Sequence, residues 1–478
     1  MFKNLQLISH QLQNLLPALY LLYALPAIAL AALVTPPFQI PDEPNHFRRA
    51  EQVSTGRWIT SFHRAADSNQ LPASPDKRIL MPDIGGFPVN KGIDLAASYY
   101  GNLPFQPDTK VRRAQTDSAK QIHWGQPDVD REFANTAIYP PTGYFASALG
   151  IVLGKVIHAS VIGTLYLARC LNGLACALLC FFALRLSRST RLLLFTVLLF
   201  PMTIALFAST SQDGIIISLA CLFFGIISQV ESDAEKYYSR KQLIALVVIL
   251  AAIGAAKPPY FLFAGVFFFL RLDKKTKAIC LASAFLPIAL WILLNRANYA
   301  VVWIPPEKHV NSGLQLKYVL THPFDYIRLF FRFNLIKVRE VVYEFFGVLG
   351  WQDLTFPSYF YRAASLALLF AALISISYSL KKHIRLRSVL FVLTVLTVAA
   401  VITGQYITWM PLEAPYLGGS QGRYFIPIFP VLALALAGFR KDNPLKTWQI
   451  PLFCYILILP LIDTIVMVDQ LIIRYYLA

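Results

Sequence analysis

Apolar stretches alternate with polar connectors along this chain. The first apolar stretch covers residues 15–34, and a long polar region, 35–137, follows it. The later apolar stretches are 138–157, 161–184, 192–208, 214–230, 243–256, 258–270, 278–295, 358–379, 388–407, 425–439 and 448–473. A helix needs about 20 apolar residues to cross a bilayer, and only helices and closed barrels satisfy their backbone groups there. The pattern therefore predicts an all-α integral membrane protein that crosses the membrane many times.

The composition supports this prediction. Of the 478 residues, 56% are hydrophobic and only 14% are charged, and the mean hydropathy is +0.53. Soluble domains contain about 25% charged residues, so a soluble enzyme of several domains is excluded. The stretch 15–34 is longer than the apolar core of a cleaved signal peptide and is predicted to be a retained signal anchor. All six cysteines lie in apolar runs, which argues against a disulfide framework and predicts buried thiols.

The formal net charge of +17 comes from 43 Lys and Arg against 26 Asp and Glu. Five short connectors carry clusters of basic residues, namely 185–191, 236–241, 271–277, 381–387 and 440–446. Because short basic loops stay in the cytoplasm, we predict that these five are cytoplasmic and that the connectors between them are external. The region 35–137 holds 12 acidic and 12 basic residues and is predicted to be a single large external loop. The basic excess thus reflects topology, and nucleic-acid binding is not predicted.

The stretch 138–157 breaks this alternation. If Lys3 is cytoplasmic and the large loop is external, an odd number of crossings must separate Ala137 from Arg185, yet two apolar stretches lie between them. We therefore predict that 138–157 lies along the membrane or only dips into it. This leaves about 11 transmembrane helices and an external C-terminus. The alternative is a full crossing by 138–157, which would invert everything downstream.

Polar groups that interrupt apolar sequence gather on the predicted external face. They are Asp42 and Glu43, Ser211-Gln212-Asp213, Lys257, and Gln421-Gly422-Arg423-Tyr424. An ionisable side chain costs about 2.5–3.5 kcal/mol at the centre of a membrane, so such residues are functional candidates. Convergence of four distant segments on one face predicts a single site.

The carboxylates have a functional and a structural interpretation. A carboxylate placed like Asp42 can have a raised pKa and accept a proton from an attacking hydroxyl group. Alternatively, Asp42 or Glu43 caps an amphipathic surface helix over residues 45–56, with Pro44 in its first turn. Asp213 either pairs with a nearby cation or caps the span that it precedes.

The cations also have two interpretations. Lone cations at helix ends often extend toward lipid head groups, and this applies to Lys257 and to Arg169, which lies deeper in its apolar stretch. Arg423 follows Gly418-Gly419-Ser420-Gln421-Gly422, where glycines let backbone N–H groups and a guanidinium approach an anion closely. Phosphate recognition is the functional hypothesis for these cations.

Several common catalytic motifs are missing from the sequence. There is no Walker A motif, no GxGxxG after a strand, no HExxH and no GxSxG, so nucleotide hydrolysis, Rossmann-type redox chemistry and zinc proteolysis have no support. The large loop contains three histidines, His46, His63 and His123. Their spacing matches no metal site, and they are predicted to be surface residues.

Five short motifs together carry a family resemblance. In chain order they are Pro41-Asp42-Glu43-Pro44-Asn45-His46-Phe47-Arg48-Arg49-Ala50, Tyr139-Pro140-Pro141, Ser211-Gln212-Asp213-Gly214, Lys257-Pro258-Pro259-Tyr260 and Gln421-Gly422-Arg423-Tyr424-Phe425-Ile426-Pro427. Their order and spacing, over about residues 17–470, resemble the bacterial membrane family called domain of unknown function 2142. That family in turn resembles the C-type (GT-C) glycosyltransferases, which take sugars from polyprenyl-phosphate donors.

The resemblance implies roles for particular residues. An acid in the first external loop is the catalytic base of such transferases, so Asp42 would be the base and Glu43 would position the acceptor. Cations at span ends hold the lipid phosphate, and the implied phosphate ligands are Lys257, Arg423 and Arg169. The implied supporting residues are His46, Tyr139, Asp213, Tyr260, Gln421 and Tyr424. No metal ligand is predicted, and a divalent ion, Mg²⁺ or Mn²⁺, stays open as a cofactor.

The resemblance also implies a GT-C-like helix bundle with juxtamembrane helices in the large loop. We expect a transmembrane module of seven spans over residues 1–295, a second external loop over 296–357 and variable C-terminal transmembrane helices over 358–478. The second loop contains Glu340, Glu344, Gln352 and Asp353, which either line a cleft or simply solvate the loop.

The predicted function is the inverting transfer of a hexose or pentose from a polyprenyl-phosphate donor to a cell-envelope glycan or lipid-linked acceptor. The enzyme would lie in the bacterial cytoplasmic membrane, with its active site facing the periplasm or the cell exterior. One alternative is a transporter or flippase for an envelope lipid or glycan, for which we expect polar groups near mid-membrane and an inverted repeat, and the sequence suggests neither. The other is a non-enzymatic envelope-assembly scaffold that docks partners on the large loop.

Overall fold

The computed structural model describes residues 2–64, 85–233, 235–299, 310–376, 384–439 and 445–477. Parts of two predicted cytoplasmic connectors, 381–383 and 440–444, lie outside the described residues. Most of the described chain is helical. The α-helices are α1 Phe2–Val34, α2 Glu43–Ser54, α3 Lys91–Ser98, α4 Arg113–Lys120, α5 Ala134–Ala137, α6 Phe145–Val156, α7 Val161–Leu186, α8 Arg191–Leu198, α9 Pro201–Phe207, α10 Asp213–Glu231, α11 Arg240–Ala256, α12 Lys274–Leu294, α13 Arg296–Tyr299, α14 Ser312–Thr321, α15 Pro323–Gly347, α16 Ser358–Ile376, α17 Ile384–Trp409, α18 Phe429–Ala437 and α19 Gln449–Tyr475.

Two small antiparallel sheets and several 3-10 helices complete the described fold. The 3-10 helices are Pro141–Gly143, Pro258–Phe268 and Gly422–Ile428, and the strands are β1 His63–Arg64, β2 Gly85–Asn90, β3 Asp128–Arg131, β4 Val348–Leu349 and β5 Leu354–Thr355. In the large loop β2 pairs with both β1 and β3, with Phe87 opposite Arg131. Phe87 packs against Phe133 with ring centroids 5.4 Å apart. These aromatic rings give the loop a small core of its own.

Seven of the described helices are long and apolar enough to cross a membrane. They are α1, α7, α10, α12, α16, α17 and α19. Shorter apolar helices cover Phe145–Val156, Pro258–Phe268 and Gly422–Ala437. The all-α membrane architecture is confirmed, whereas the count of 11 crossings stays a prediction.

The predicted non-crossing stretch forms α6, which has only 12 residues. At 1.5 Å per residue it is about 18 Å long, well short of a hydrocarbon core of about 30 Å. It packs closely on α7, because a Cβ added at Gly150 would lie 2.5 Å from the Cα of Ala168 and one at Gly154 would lie 2.4 Å from Thr164 Oγ1. Its other face exposes apolar side chains such as Leu149 and Val156. These features agree with a helix that lies at the membrane boundary.

Prolines interrupt two of the predicted spans. Stretch 192–208 is divided into α8 and α9 because Pro201 begins a new helix and cannot donate a backbone hydrogen bond to the preceding turn. Helix α11 ends at Ala256, and Lys257 adopts an extended backbone before Pro258, which is the conformation that a following proline favours. This break places the Lys257 side chain at a helix end instead of within a helix.

The helix that follows the first span is more buried than the sequence predicted. Helix α2 forms close to the expected residues, but eight of its 12 residues are buried. It packs on α6 and α5 and against β2, so it lies inside the protein and not on its surface. The cause is the folded large loop, which covers the side of α2 that the sequence pattern left polar.

The last helix ends beside the first loop. The Tyr476 hydroxyl donates to the Val34 carbonyl at 3.0 Å, and the Val111 N–H donates to the Tyr475 carbonyl at 2.8 Å. The C-terminal ends of α1 and α19 therefore lie on the same side of the molecule, as an external C-terminus requires. Not every cysteine is buried as predicted: Cys170 is half-buried and Cys454 is exposed on its helix.

Candidate functional site

Four segments that are distant in sequence meet around one cavity of about 550 Å³. Asp42 follows the end of α1, Asp213 begins α10, Lys257 follows the end of α11, and Arg423 lies in the 3-10 helix Gly422–Ile428. All four side chains line this cavity, which we call the site cavity. The convergence expected from the polar interruptions is therefore present in the fold.

Asp42 has an unusual backbone and a free carboxylate. Its φ of 60° and ψ of 10° place it in the left-handed region, which non-glycine residues seldom adopt. It occupies the N-cap position of α2, but its side chain makes no capping hydrogen bond. Among the described residues none forms a hydrogen bond or a salt bridge with this carboxylate. Strained backbone at a cavity wall is typical of functional residues, and the capping interpretation of Asp42 is wrong.

Burial raises the pKa of Asp42, while Arg423 and Lys257 partly oppose this shift. A raised pKa makes the carboxylate a stronger base than an ordinary aspartate, because it binds a proton more readily. The same two cations keep the ionised form accessible. The Asp42 carboxylate is thus both free to contact a ligand and more basic than an ordinary aspartate.

The two cations of the cavity share one carboxylate. Lys257 Nζ donates to Asp213 Oδ1 at 2.6 Å, and Arg423 Nε lies 3.9 Å from Asp213 Oδ2. Tyr424 lies against both, with its ring centroid 4.5 Å from Lys257 Nζ and 5.5 Å from Arg423 Cζ. Asp213 therefore pairs with cations instead of capping α10, and Lys257 does not extend away from the protein.

Arg423 retains unused hydrogen-bonding capacity. The residue is 9% exposed, and its Nε has no hydrogen-bond partner in the described part of the chain. Buried polar groups are nearly always hydrogen-bonded, so a ligand with acceptor oxygens would complete this site. Phosphate oxygens suit a guanidinium because its planar N–H groups match them geometrically.

His46 also lines the site cavity. It is buried, with Nδ1 2.7 Å from the Tyr144 hydroxyl and Nε2 3.3 Å from Ser211 Oγ, and its ring stacks on Tyr139. Burial lowers the pKa of His46 to about 3, so the imidazole is neutral at physiological pH. The prediction of a surface histidine is wrong for His46. By contrast, His63 is exposed and lies 3.0 Å from Asp130.

Two predicted site residues lie outside the cavity. Glu43 and Arg169 are both fully buried and form an ion pair, with Arg169 Nε donating to Glu43 Oε1 at 2.8 Å. The remaining guanidinium N–H groups donate to Glu43 Oε2 and to the carbonyls of Ala32, Thr35 and Pro36. Every donor of Arg169 is therefore used within the protein, which corrects its assignment as a phosphate ligand and that of Glu43 as an acceptor-positioning residue.

This ion pair has a structural role next to Asp42. Carbonyls at the end of a helix lack intrahelical partners, and Arg169 donates to that of Ala32 in the last turn of α1 and to those of Thr35 and Pro36 just beyond it. It also fixes Glu43, the first residue of α2. The short link between α1 and α2, which contains Asp42, is thus held at both ends by one guanidinium.

The other predicted supporting residues have different positions. Tyr139, Gln421 and Tyr424 line the site cavity. Tyr260 does not line it, but its hydroxyl donates to the Tyr424 carbonyl at 2.7 Å and so fixes the residue after Arg423. Tyr260 is therefore a positioning residue.

Further residues of the region had no clear signal in the sequence. Gln405 and Trp409 at the end of α17 line the site cavity, and Asn135 reaches it from the large loop, where it accepts a hydrogen bond from Asn45. Asp463 lies in the middle of α19 and is 2% exposed, far along the chain from the other acids. The sequence pattern had indicated no polar group near mid-membrane, and Asp463 contradicts that expectation.

The described residues contain no group of three or more His, Cys, Asp or Glu side chains that could hold a metal ion. In the site cavity, Asp213 already pairs with Lys257, which leaves one free carboxylate. These residues do not fit a divalent-ion site.

Comparison with known proteins gives one match. The family model described as a predicted membrane protein, DUF2142, matches residues 25–432. The chain belongs to the DUF2142 family. The match includes all four charged residues of the site cavity, and the multi-pass membrane architecture agrees with the description of the family. Neither the search of curated proteins nor that of solved structures found a match.

Proposed function

We propose that this DUF2142 protein is a glycosyltransferase that moves one sugar from a polyprenyl-phosphate donor to a cell-envelope glycan or lipid-linked acceptor. The observation that carries the proposal is the Asp42 carboxylate, unpaired among the described residues, in a cavity that also contains Lys257 and Arg423. A base and two cations are the groups that an inverting transfer from a lipid phosphate requires. The reaction would occur on the external face of the bacterial cytoplasmic membrane, the side on which the basic connectors predict that α1 ends.

The proposed step is a single displacement at the anomeric carbon. Asp42 accepts the proton of the acceptor hydroxyl group. At the same time, the oxygen of that hydroxyl group forms a bond to the anomeric carbon of the donor sugar. The bond from that carbon to the phosphate oxygen breaks, and the polyprenyl phosphate leaves with the bonding electron pair. The configuration inverts because attack and departure occur on opposite faces of the sugar. No oxidant, reductant or additional nucleophile is needed.

The cations support the departure of the phosphate. Electrostatic stabilisation is greatest when charged groups are already positioned where charge develops. Asp213 holds Lys257 at 2.6 Å and lies 3.9 Å from Arg423, so both cations are fixed before a ligand arrives. The Nε of Arg423, which makes no hydrogen bond among the described residues, can donate to the phosphate.

Transport of an envelope lipid or glycan is the second candidate, and one observation favours it. Asp463 is buried in the middle of a membrane-spanning helix, and none of the described residues forms a hydrogen bond or a salt bridge with it. Intramembrane carboxylates often mark ion or proton pathways. Asp463 does not line the site cavity, however, and the charges that do line it gather at helix ends.

Substitution of the base tests the proposal. In Asp42→Asn, sugar transfer should fall by about 10²–10⁴-fold, the usual contribution of a general base, while the protein remains folded in the membrane. Transfer is measured as release of polyprenyl phosphate by the purified chain and as modification of the envelope glycan by mass spectrometry. The matched control is Asp117→Asn, since Asp117 lies exposed on α4 in the same loop, and it should transfer normally. Normal glycan modification by Asp42→Asn would refute the assignment of the base.

A further inference from the structure

A second cavity, of about 210 Å³, lies next to the site cavity. Helix α15 forms one wall with Lys337, Glu340 and Glu344, and residues 417–421 form the other. Gly419 and Gln421 line both cavities, so a segment of three residues separates them. The second cavity thus opens directly beside Arg423 without containing it.

The separating segment is held closely against its neighbours. Gly419 has a φ of +77°, and a Cβ there would lie 2.8 Å from the Trp409 ring. A Cβ at Gly422 would lie 2.2 Å from the Val341 carbonyl oxygen, so the backbone after the segment touches α15 directly. Glu344 Oε2 accepts a hydrogen bond from the Gly422 N–H at 2.6 Å. One side chain of the second cavity therefore fixes the residue that precedes Arg423.

Polar atoms of this segment have no partner within the described protein. Ser420 Oγ and Gln421 Oε1 are both buried and make no hydrogen bond. Glu344 uses only one carboxylate oxygen, and none of the described residues donates to the other. Because buried polar groups are nearly always hydrogen-bonded, these two buried atoms, together with the open carboxylate oxygen of Glu344 at the same cavity, indicate a ligand with several hydroxyl groups.

The charges of the two cavities differ. The site cavity has two cations, Lys257 and Arg423, against the two carboxylates Asp42 and Asp213, so its formal charge is zero when all four groups are ionised. The second cavity has two carboxylates, Glu340 and Glu344, and one cation, Lys337, which is already bonded to Glu340 at 2.6 Å. An anion is disfavoured there by like charge. Carboxylate and amide oxygens, including that of Gln352, instead accept hydrogen bonds from neutral hydroxyl groups.

We propose that the second cavity binds the acceptor of the transfer as a neutral saccharide, with Glu344, Ser420 and Gln352 bonding its hydroxyl groups. The inference rests on the proposed function, because it assigns the phosphate of the donor to the site cavity and the acceptor to its neighbour. The shared segment then brings the acceptor hydroxyl next to the sugar held beside Arg423. Specificity for the acceptor would reside in α15 and in residues 417–421.

A matched pair of cysteine reporters tests this division. Ser312→Cys places a thiol in the site cavity and Ser420→Cys places one in the second cavity, each by exchange of one oxygen for sulfur. Each full-length variant is labelled with a membrane-impermeant methanethiosulfonate, and the wild-type chain gives the background from its six native cysteines. The two probes are a short-chain polyprenyl phosphate and a dephosphorylated, lipid-free oligosaccharide released from the envelope glycan of the host.

The expected result is reciprocal protection. At about ten times its Kd, the oligosaccharide should slow labelling of Ser420→Cys about tenfold and leave Ser312→Cys unchanged. Polyprenyl phosphate should protect Ser312→Cys and leave Ser420→Cys unchanged. If Ser420→Cys does not fold, Glu340→Cys at the exposed edge of the second cavity replaces it as the reporter.

Two outcomes would overturn the acceptor assignment while the proposed function stands. One is protection of Ser312→Cys by polyprenyl phosphate without any protection of the second cavity by the oligosaccharide. The other is protection of the second cavity by polyprenyl phosphate, which would assign this cavity to the donor. By contrast, failure of polyprenyl phosphate to protect Ser312→Cys would count against the transferase itself.

Discussion

Replacement of Arg169 by methionine should lower the free energy of unfolding of the protein without removing a direct contact with the ligand. Arg169 is fully buried and donates to Glu43 and to three backbone carbonyls. Arg169→Met leaves the Glu43 carboxylate buried without a counter-ion and the carbonyls without donors. Removal of one partner of a buried ion pair costs about 3–5 kcal/mol. The cost of the lost hydrogen bonds is already part of this penalty. We therefore expect the total loss in free energy of unfolding to stay within about 3–5 kcal/mol.

The assay is unfolding of the detergent-solubilised full chain by titration with SDS, followed by fluorescence of its seven tryptophans. The control is Arg113→Met. Arg113 is 96% exposed and lies 3.8 Å from Asp117 on the surface. A surface substitution of this kind changes the free energy of unfolding by no more than about 0.5 kcal/mol.

A double variant separates the two possible roles of Arg169. In Glu43→Leu with Arg169→Met, no lone charge remains buried, and well-packed apolar replacements of buried ion pairs are often neutral or stabilising. The double variant should therefore recover most of the lost free energy of unfolding. An Arg169→Met protein that is as stable as the wild type, but binds polyprenyl phosphate more weakly, would refute this reasoning and restore Arg169 as a ligand.

Three further predictions test the site cavity and the alternative hypothesis of a transporter. Since burial raises the pKa of Asp42 and transfer needs the ionised form, kcat/KM should fall with decreasing pH from a point above the ordinary aspartate pKa of about 3.9; a fall only below that value would contradict the assignment. Arg423→Ala should weaken binding of polyprenyl phosphate by about tenfold or more, since a hydrogen bond to a charged group contributes about 1.5–3 kcal/mol, and unchanged affinity in a direct binding assay would make this arginine purely structural. Asp463→Asn should leave release of polyprenyl phosphate unchanged in a transferase, whereas loss of function in this variant would favour a proton-coupled transporter.

The sequence alone was sufficient to predict which charged residues meet in the site cavity. Asp42, Asp213, Lys257 and Arg423 each interrupt apolar sequence at the boundary of a helix, and such interruptions are costly unless the side chains meet partners. Basic connectors then assign all four to one face. The segments can be found without any knowledge of packing, because both signals depend on hydropathy and charge along the chain.

The sequence could not predict that the side chains of Asp42 and Glu43 point to different parts of the protein. Two adjacent carboxylates look equivalent in a sequence, yet the left-handed backbone of Asp42 sends the two side chains to different surroundings. Glu43 then enters the protein interior, where Arg169 from α7 meets it. That contact joins residues 126 positions apart, and no local pattern reports it.

The structure differs from the sequence predictions at two other places, because a hydropathy averaged over many residues conceals single residues. Asp463 lies in a stretch with a mean hydropathy of 2.2, which obscures one carboxylate. Stretch 192–208 looks like one span by hydropathy, but Pro201 divides it into two helices. The proline was visible in the sequence, so this break was open to prediction from backbone chemistry alone.

The arrangement of the site cavity explains how Asp42 can remain both free and basic beside two cations. A lone carboxylate next to Lys257 and Arg423 would form an ion pair with them, and its pKa would fall. Asp213 prevents this because it already bonds Lys257 at 2.6 Å and lies near Arg423. Burial is the largest influence on the pKa of Asp42, and the nearby Asp213 carboxylate raises this pKa further. A second carboxylate that bonds one cation and lies near the other therefore helps the first carboxylate to act as a base.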